Sequence, residues 1–442
     1  MQSVDYIICS DYILTMNTNM DVIKNGAIAI KDRIIFDVDI KDNILAKYSS
    51  KNIINSNDTV AMPGFINTHT HAAMVYFRGL ADDIPLKEWL EKHIWPAENR
   101  WLSPQFVSDA VELACLEMLK AGITCFCDMY FFQESAAHIA KRIGIRAVLG
   151  PGIVDFPTAS AKNTDEYLSN SQSFIEEWKD DELISPCVAP HAPYTCSPET
   201  LKRAKKVSER FGVPIHIHLS ETEWEVKEIV SRYGKRPVEH LDNIGFLDKD
   251  VFAAHCVWVN NKEIDILSRH GVGVSHCIES NLKLASGIAP IVKMLKSGIK
   301  VSLGTDGAAS NNDINIISEM STAAKVHKAI ANDPTVLDSK TVTLMATRWA
   351  ADVLGLGDKI GSIEKGKLAD IIIMNIKKPH LTPIYDIYSH IVYAATASDI
   401  ETVFINGIIV INNRSLVTAD EEEILNKAKN WAEKIIQFNK KQ

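Results

Sequence analysis

The chain has 442 residues, of which 46% are apolar and 23% charged, and carries a net charge of −9 at neutral pH. This composition excludes a disordered chain and leaves room for one large domain with an appendage, or two to three ordinary domains. The acidic balance argues against nucleic acid or an anionic membrane as partner, so a small molecule is expected.

The start, Met1 to Tyr6, lacks the basic and apolar regions of a signal peptide, and no run approaches the roughly 20 apolar residues of a membrane span. The expected compartment is cytoplasmic. Eight cysteines are scattered without a Cys-x-x-Cys pair, which indicates neither a disulfide framework nor a structural zinc site, so they read as buried thiols.

Short apolar runs open the chain: Tyr6 to Cys9, Ala27 to Ile30, and Ile34 to Phe36 after a Lys31-Asp32-Arg33 turn. A second set, Ala369 to Met374 and Val403 to Val410, lies near the other end. Neither set closes a core alone. Residues 1–60 and 361–420 are therefore expected to pair into one small β-sandwich.

Between them, over 61–360, short β-branched runs alternate with helical stretches. The strands are expected at 61–68, 123–128, 145–150, 185–190, 213–219, 251–255, 271–275 and 299–304, with helices that include 104–121, 198–211 and 315–331. Eight such units fit an α/β fold, a (β/α)₈ TIM barrel, which typically takes about 250 residues and carries its chemistry at the carboxyl ends of its strands. Over 421–442, Ile424, Leu425, Ala428, Trp431, Ile435 and Ile436 form a helical stripe. That stripe suits packing on the barrel or on a second copy of the chain in a homo-oligomer.

The first barrel run ends in His69-Thr70-His71. Residues i and i+2 of a strand leave the same face, so both imidazoles can converge on one point. Alone, such a pair equally caps a strand. Later runs end in His191, in His218 with Glu221, in His255, and in Asp306. His69, His71, His218 and Asp306 make a donor set suited to zinc or another borderline divalent ion, with a place left for water. Such a site lowers the pKa of water to about 7, and a hydrolytic reaction is implied. Glu221 is placed to shuttle a proton, a role that calls for a carboxyl of raised pKa. His255 reads as a group orienting the water, while His216 and His276 read as structural barrel residues. The fourth strand ends Cys187-Val188-Ala189-Pro190-His191, without the lysine that bridges two metals in many hydrolases on this barrel, so one metal is expected.

The stretches Pro63 to His71, Arg78 to Asp83, Leu86 to Glu98, His191 to Tyr194, His218 to Glu221, Ala254 to Cys256, Ser280 to Leu284 and Gly304 to Asn312 strongly resemble the amidohydrolase superfamily. Within it they resemble the adenosine, 5′-methylthioadenosine and S-adenosylhomocysteine deaminases. The resemblance implies one zinc or iron ion per subunit on His69, His71, His218 and Asp306. Hydroxide would attack C6 of adenine while Glu221 protonates N1, and Asp306 with His255 would carry the water's proton to the departing ammonia. Glu98 would accept from both ribose hydroxyls, Trp89 would wall the nucleoside pocket, and His191 would touch substrate.

One departure stands out. Family members that bind S-adenosylhomocysteine can use arginines after the third strand, but Pro151 occupies one such position and Thr158 to Lys162 contains no arginine. Substrates without the homocysteine tail are expected to be preferred, unless Lys162 substitutes as a point charge. The alternatives are an amidohydrolase acting on a free ring, of guanine deaminase or triazine hydrolase type, and a barrel retained as a scaffold. The His-x-Glu and Pro-Cys-x-x-Cys motifs of the base-flipping zinc deaminases do not occur.

Overall fold

The computed structural model describes residues 1–439, so 440–442 of the expected C-terminal helix lie outside the described residues. The barrel strands are Phe65–Thr70, Ile123–Tyr130, Arg146–Ile153, Ile184–Pro186 continued by Ala189–Pro190, Ile215–Leu219, Val251–His255, Gly273–His276 and Val301–Leu303. Neighbours pair in parallel, and a bridge from Val188 to Ile215 joins the fourth strand to the fifth. The cylinder closes where Thr68 Oγ1 donates to the Leu303 carbonyl at 2.9 Å and Asp306 N donates to the His69 carbonyl at 3.0 Å. The outer helices start where the chemistry asks for them. Ser103 and Ser197 each cap a helix whose first residue is a proline, Pro104–Lys120 and Pro198–Phe211.

The run expected as one strand over 61–68 divides. Thr59–Pro63 pairs antiparallel with Ile371–Asn375 and parallel with Tyr6–Leu14, while Phe65–Thr70 enters the barrel. The division falls at Gly64, where a Cβ would lie 2.1 Å from the Thr124 side chain. Both halves are buried throughout, and the Pro63-Gly64 pair between them is the turn signal that marks the break.

The two chain ends share one nine-stranded sheet that encloses its own core as a β-sandwich. The hairpin of Val22–Lys31 and Ile34–Ile40 turns through Asp32 (φ 51°) and Arg33 (φ 70°), and that of Ile400–Ile405 and Ile408–Asn412 through Asn406 (φ 53°) and Gly407 (φ 72°). Paired left-handed residues give the tight turn whose twist matches the strands. The Ala369 amide donates to the Arg33 carbonyl at 3.0 Å, and Ile8, Ile28, Ile30, Ile371, Ile373 and Phe404 fill the space between.

A buried ion pair ties this unit to the barrel. Arg146, on the third barrel strand, donates through Nε to Asp370 Oδ2 at 2.8 Å and through Nη2 to Oδ1 at 3.1 Å, and Asp370 Oδ1 also accepts from Asn406 N at 2.7 Å. Removing one member strands the other charge, so Asp370→Ala is expected to lower unfolding free energy by about 3–5 kcal/mol. The double replacement Arg146→Met/Asp370→Leu is expected to regain most of that loss. Denaturant melts of both variants check this, and a single variant within about 1 kcal/mol of wild type refutes it.

The C-terminal helix Glu421–Asn439 lies on Pro104–Lys120: Trp431 packs edge-on against Phe106 at 5.1 Å and donates to Asp109 at 2.9 Å. Ile424, Trp431 and Ile435 of its stripe thus pack on the same chain, while Leu425 and Ile436 are exposed.

Candidate metal centre

Alternation along the first and fifth strands sends His69, His71, His216 and His218 into the barrel interior. There the first strand meets the fifth, on the opposite side of the cylinder. His71 Nδ1 faces the Met129 carbonyl at 2.6 Å, and His218 Nδ1 faces the His191 carbonyl at 2.7 Å. A carbonyl only accepts, so both rings carry their proton on Nδ1 and present bare Nε2 atoms to the interior. Those two Nε2 atoms are 3.2 Å apart. Two lone pairs so placed repel unless a cation stands between them.

Asp306 Oδ1 lies 3.4 Å from His69 Nε2 and 3.4 Å from His71 Nε2. His69 Nε2 is buried with no hydrogen-bond partner. Among the described residues, His69 with His71 and His218, and His69 with His255 and Asp306, form two overlapping groups of metal-ligand spacing. Three imidazoles, one carboxylate and an orphaned buried nitrogen together fit a zinc-type ion.

The carboxylate is oriented from behind. Asp306 Oδ2 accepts from Ser280 Oγ at 2.6 Å and Ser310 Oγ at 2.7 Å, while Oδ1 accepts from Gly307 N at 2.7 Å and also faces the imidazoles. Burial alone would raise the Asp306 carboxyl, but the imidazoles packed against it, His69 before His71 and His255, hold it well below the usual range. Burial lowers His69 to about 4, so its ring is neutral and able to ligate.

Three non-glycine residues at the mouth sit in the left-handed region: Ser220 (φ 52°), His255 (φ 71°) and Asp306 (φ 61°). Such backbone costs of order 1–3 kcal/mol each and persists where surrounding contacts over-determine it. At Ser220 those contacts come from Glu225, which accepts from Ser220 N and Glu221 N at 2.8 Å each. Glu221 is thereby aimed at His255, whose Nε2 is 3.9 Å from Glu221 Oε2 and whose Nδ1 faces Asn281 Oδ1 at 2.9 Å. Burial raises the Glu221 carboxyl against the lowering charge of His255. His255 rises because the Glu221 and Asp306 carboxylates outweigh its burial.

A cavity of about 300 Å³ opens above this cluster, and His71, His218, Glu221, His255 and Asp306 reach it. Trp89, Glu98 and His191 line it as well. Trp89 begins the π-helical stretch Trp89–Ile94, and its Nε1 donates to the Ala81 carbonyl at 3.0 Å. Glu98, on the following helix Trp95–Trp101, is 8% exposed and accepts from Tyr130 Oη at 2.6 Å. Burial lifts its carboxyl to about 7, against the pull of that hydroxyl. His191 bonds Thr195 Oγ1 at 2.9 Å, and burial lowers it to about 3.

Some residues do not join. His276 Nε2 meets His327 Nε2 at 3.0 Å, and no metal-type group among the described residues includes it. Lys162 is exposed and does not line the cavity. Tyr130, Glu225, Ser280, Asn281 and Ser310 carry supporting contacts that were not read from the chain, although Ser280-Asn281 and Ser310 lie inside stretches that carried the family resemblance.

A family model described as the amidohydrolase family matches residues 60–410. A 5-methylthioadenosine/S-adenosylhomocysteine deaminase of Thermodesulfovibrio yellowstonii is 58% identical over 432 residues, covering 97% of this chain and 98% of that one. A 5′-deoxyadenosine deaminase of Methanosarcina acetivorans is 43% identical over 434 residues, covering 98% of each. The crystal structure of an adenosine deaminase from Xanthomonas campestris with bound zinc superimposes with a TM-score of 0.97 at 37% identity, over 99% of both chains. With a family match over most of its length and relatives this similar from end to end, the chain belongs to the amidohydrolase family.

Proposed function

We propose that the protein hydrolyses an adenine nucleoside to the inosine derivative and ammonia, using one divalent ion, zinc in preference to iron, held by His69, His71, His218 and Asp306. The observation that carries this reading is one cavity lined both by the metal-type cluster and by a further carboxylate held apart from it by its own hydrogen bond. Glu221, His255 and Asp306 reach that cavity, and so does the buried Glu98, which accepts from Tyr130 and has no lysine or arginine partner among the described residues. The similarity to proteins named as adenine-nucleoside deaminases supports the same choice. The chemistry sits in the barrel of 61–360. All eight cysteines are buried and unpaired, which fits the reducing cytoplasm.

An ion in this site supplies a water that ionises near neutral pH. Glu221, whose carboxyl burial raises, is the group placed to give a proton to N1 of the ring as C6 is attacked. Asp306, ionised, takes the proton of the attacking water and returns it to the departing ammonia, and His255, fixed by Asn281, steadies that transfer. Glu98 accepts from the two sugar hydroxyls, while Trp89 and His191 bound the nucleoside. The test is direct: adenosine, 5′-deoxyadenosine or 5′-methylthioadenosine added to metal-loaded protein loses adenine absorbance and releases ammonia. Silence on all three at full metal occupancy refutes the reading.

The cavity wall contains no lysine or arginine among the described residues. A homocysteine carboxylate placed there lacks a charge-assisted contact worth about 1.5–3 kcal/mol. The expected result is a kcat/KM about 10- to 100-fold lower for S-adenosylhomocysteine than for 5′-methylthioadenosine. Equal values for the two substrates refute it.

The acidic side of the pH profile reports on Glu98. Its carboxyl is raised to about 7, so it is protonated below that pH and loses acceptor capacity for the ribose. For nucleosides kcat/KM is expected to fall as pH drops through about 7, and Glu98→Gln is expected to flatten that limb while costing about 10-fold or more. Turnover of free adenine is expected to change little, which also separates this reading from the free-ring alternative. A variant that damages base and nucleoside alike refutes the assignment.

A further inference from the structure

Of the three metal-facing imidazoles, two are oriented by backbone carbonyls, Met129 O for His71 and His191 O for His218. His69 differs. Its Nδ1 lies 2.9 Å from Nε2 of His216, a residue fully enclosed in the barrel. His216 Nδ1 in turn lies 3.5 Å from Cys127 Sγ, and its ring stacks on Phe252 with centroids 4.5 Å apart and planes 19° apart. The repeated His-x-His creates this arrangement. On the fifth strand, two residues before His218, the same face delivers a second imidazole one layer deeper, beneath His69.

The contact between His69 and His216 has one proton and two ways to place it. If His216 Nε2 held that proton, a neutral His69 would carry its own on Nε2, and it could not ligate. Ligation through Nε2 therefore requires His69 Nδ1–H to donate and His216 Nε2 to accept. His216 then holds its proton on Nδ1, directed at the sulfur of Cys127, a weak acceptor. Both members of the relay are neutral, and its polarity runs away from the metal.

We infer that His216 is a positioning residue for the metal centre: the Cys127–His216–His69 relay fixes the tautomer and ring plane of His69, so that its Nε2 points at the ion. This rests on the metal reading proposed above and assigns a role to a residue that otherwise reads as core filling. Partners of this kind, when removed from metal-ligating histidines, typically cost about 10- to 100-fold in metal affinity. A residue that only fills the core would cost stability without changing affinity.

The test is zinc affinity of the full chain by chelator competition, with unfolding of the chelator-stripped protein recorded in parallel. Wild type is expected to bind one equivalent. His216→Leu is expected to bind about 10- to 100-fold more weakly. His216→Gln, whose amide oxygen can accept from His69 Nδ1–H, is expected to regain most of that affinity. A folded His216→Leu protein that holds zinc as tightly as wild type overturns the inference. Should the leucine variant fail to fold, nitrogen-15 histidine spectra of zinc-loaded wild type decide the matter. The relay requires protons on Nδ1 of both His69 and His216, and a proton on His216 Nε2 overturns it. Wild type that takes up no zinc overturns the metal reading and this role with it, and the wild-type titration tells that failure apart from failure of the relay.

Discussion

Asp306→Asn is expected to leave a folded protein whose kcat on 5′-methylthioadenosine is about 10³- to 10⁴-fold below wild type, the upper part of the range for loss of a positioned proton-transfer group. Asparagine keeps the shape of the side chain, and Ser280 and Ser310 can still bond its amide, so the loop at Gly304 to Asn312 keeps its support. What disappears is a charge that the site maintains with effort. Burial opposes ionisation of Asp306, yet the neighbouring imidazoles hold it ionised far below the usual carboxylate range. An amide neither takes the proton of the attacking water nor delivers it to ammonia. The loss is expected to persist when metal analysis shows full loading at raised zinc, which separates proton transfer from ligation. It is also expected to shrink on 6-chloropurine riboside, because chloride leaves without a proton. A loaded variant within 10-fold of wild type on the aminated substrate refutes this role.

Most of the scaffold was legible because each barrel strand is a short apolar run closed off by a helical stretch, and a period change of that kind survives tertiary context. The helix expected over 198–211 is found at Pro198–Phe211, and the strand over 251–255 at Val251–His255. The metal-type residues were legible for a related reason: two His-x-His pairs at strand ends have only one face on which to meet. Glu98 was different. Its burial depends on the π-helical stretch Trp89–Ile94 that precedes its helix and on Tyr130, which arrives from the second strand. Without the family resemblance it reads as a surface charge. The roles of Glu225 and Asn281 were not legible for the same reason: each is an ordinary polar residue until barrel closure brings Ser220 N or His255 Nδ1 within bonding distance.

Glu221→Gln is expected to lower kcat by about 10²- to 10⁴-fold and to change the shape of the pH profile. Burial places the Glu221 carboxyl above its ordinary value, with the Asp306 charge adding to the rise and the His255 charge opposing it. An acid with a raised pKa stays protonated further toward neutrality, and the rate it supports falls as pH rises through that pKa. Wild type should therefore show a descending alkaline limb that the glutamine variant lacks, because an amide offers no titrating proton to N1. The variant's residual rate is expected to climb toward acid pH, where the adenine ring begins to carry its own N1 proton. Metal content should be unchanged, since Glu221 belongs to neither group of metal-type spacing. Glutamine in place of Glu221 also leaves the Glu225 clamp on its backbone intact, so a loss of rate is not a loss of loop position. A variant that keeps both the rate and the alkaline limb of wild type would place the acid elsewhere, with His255 the next group within reach of the ring.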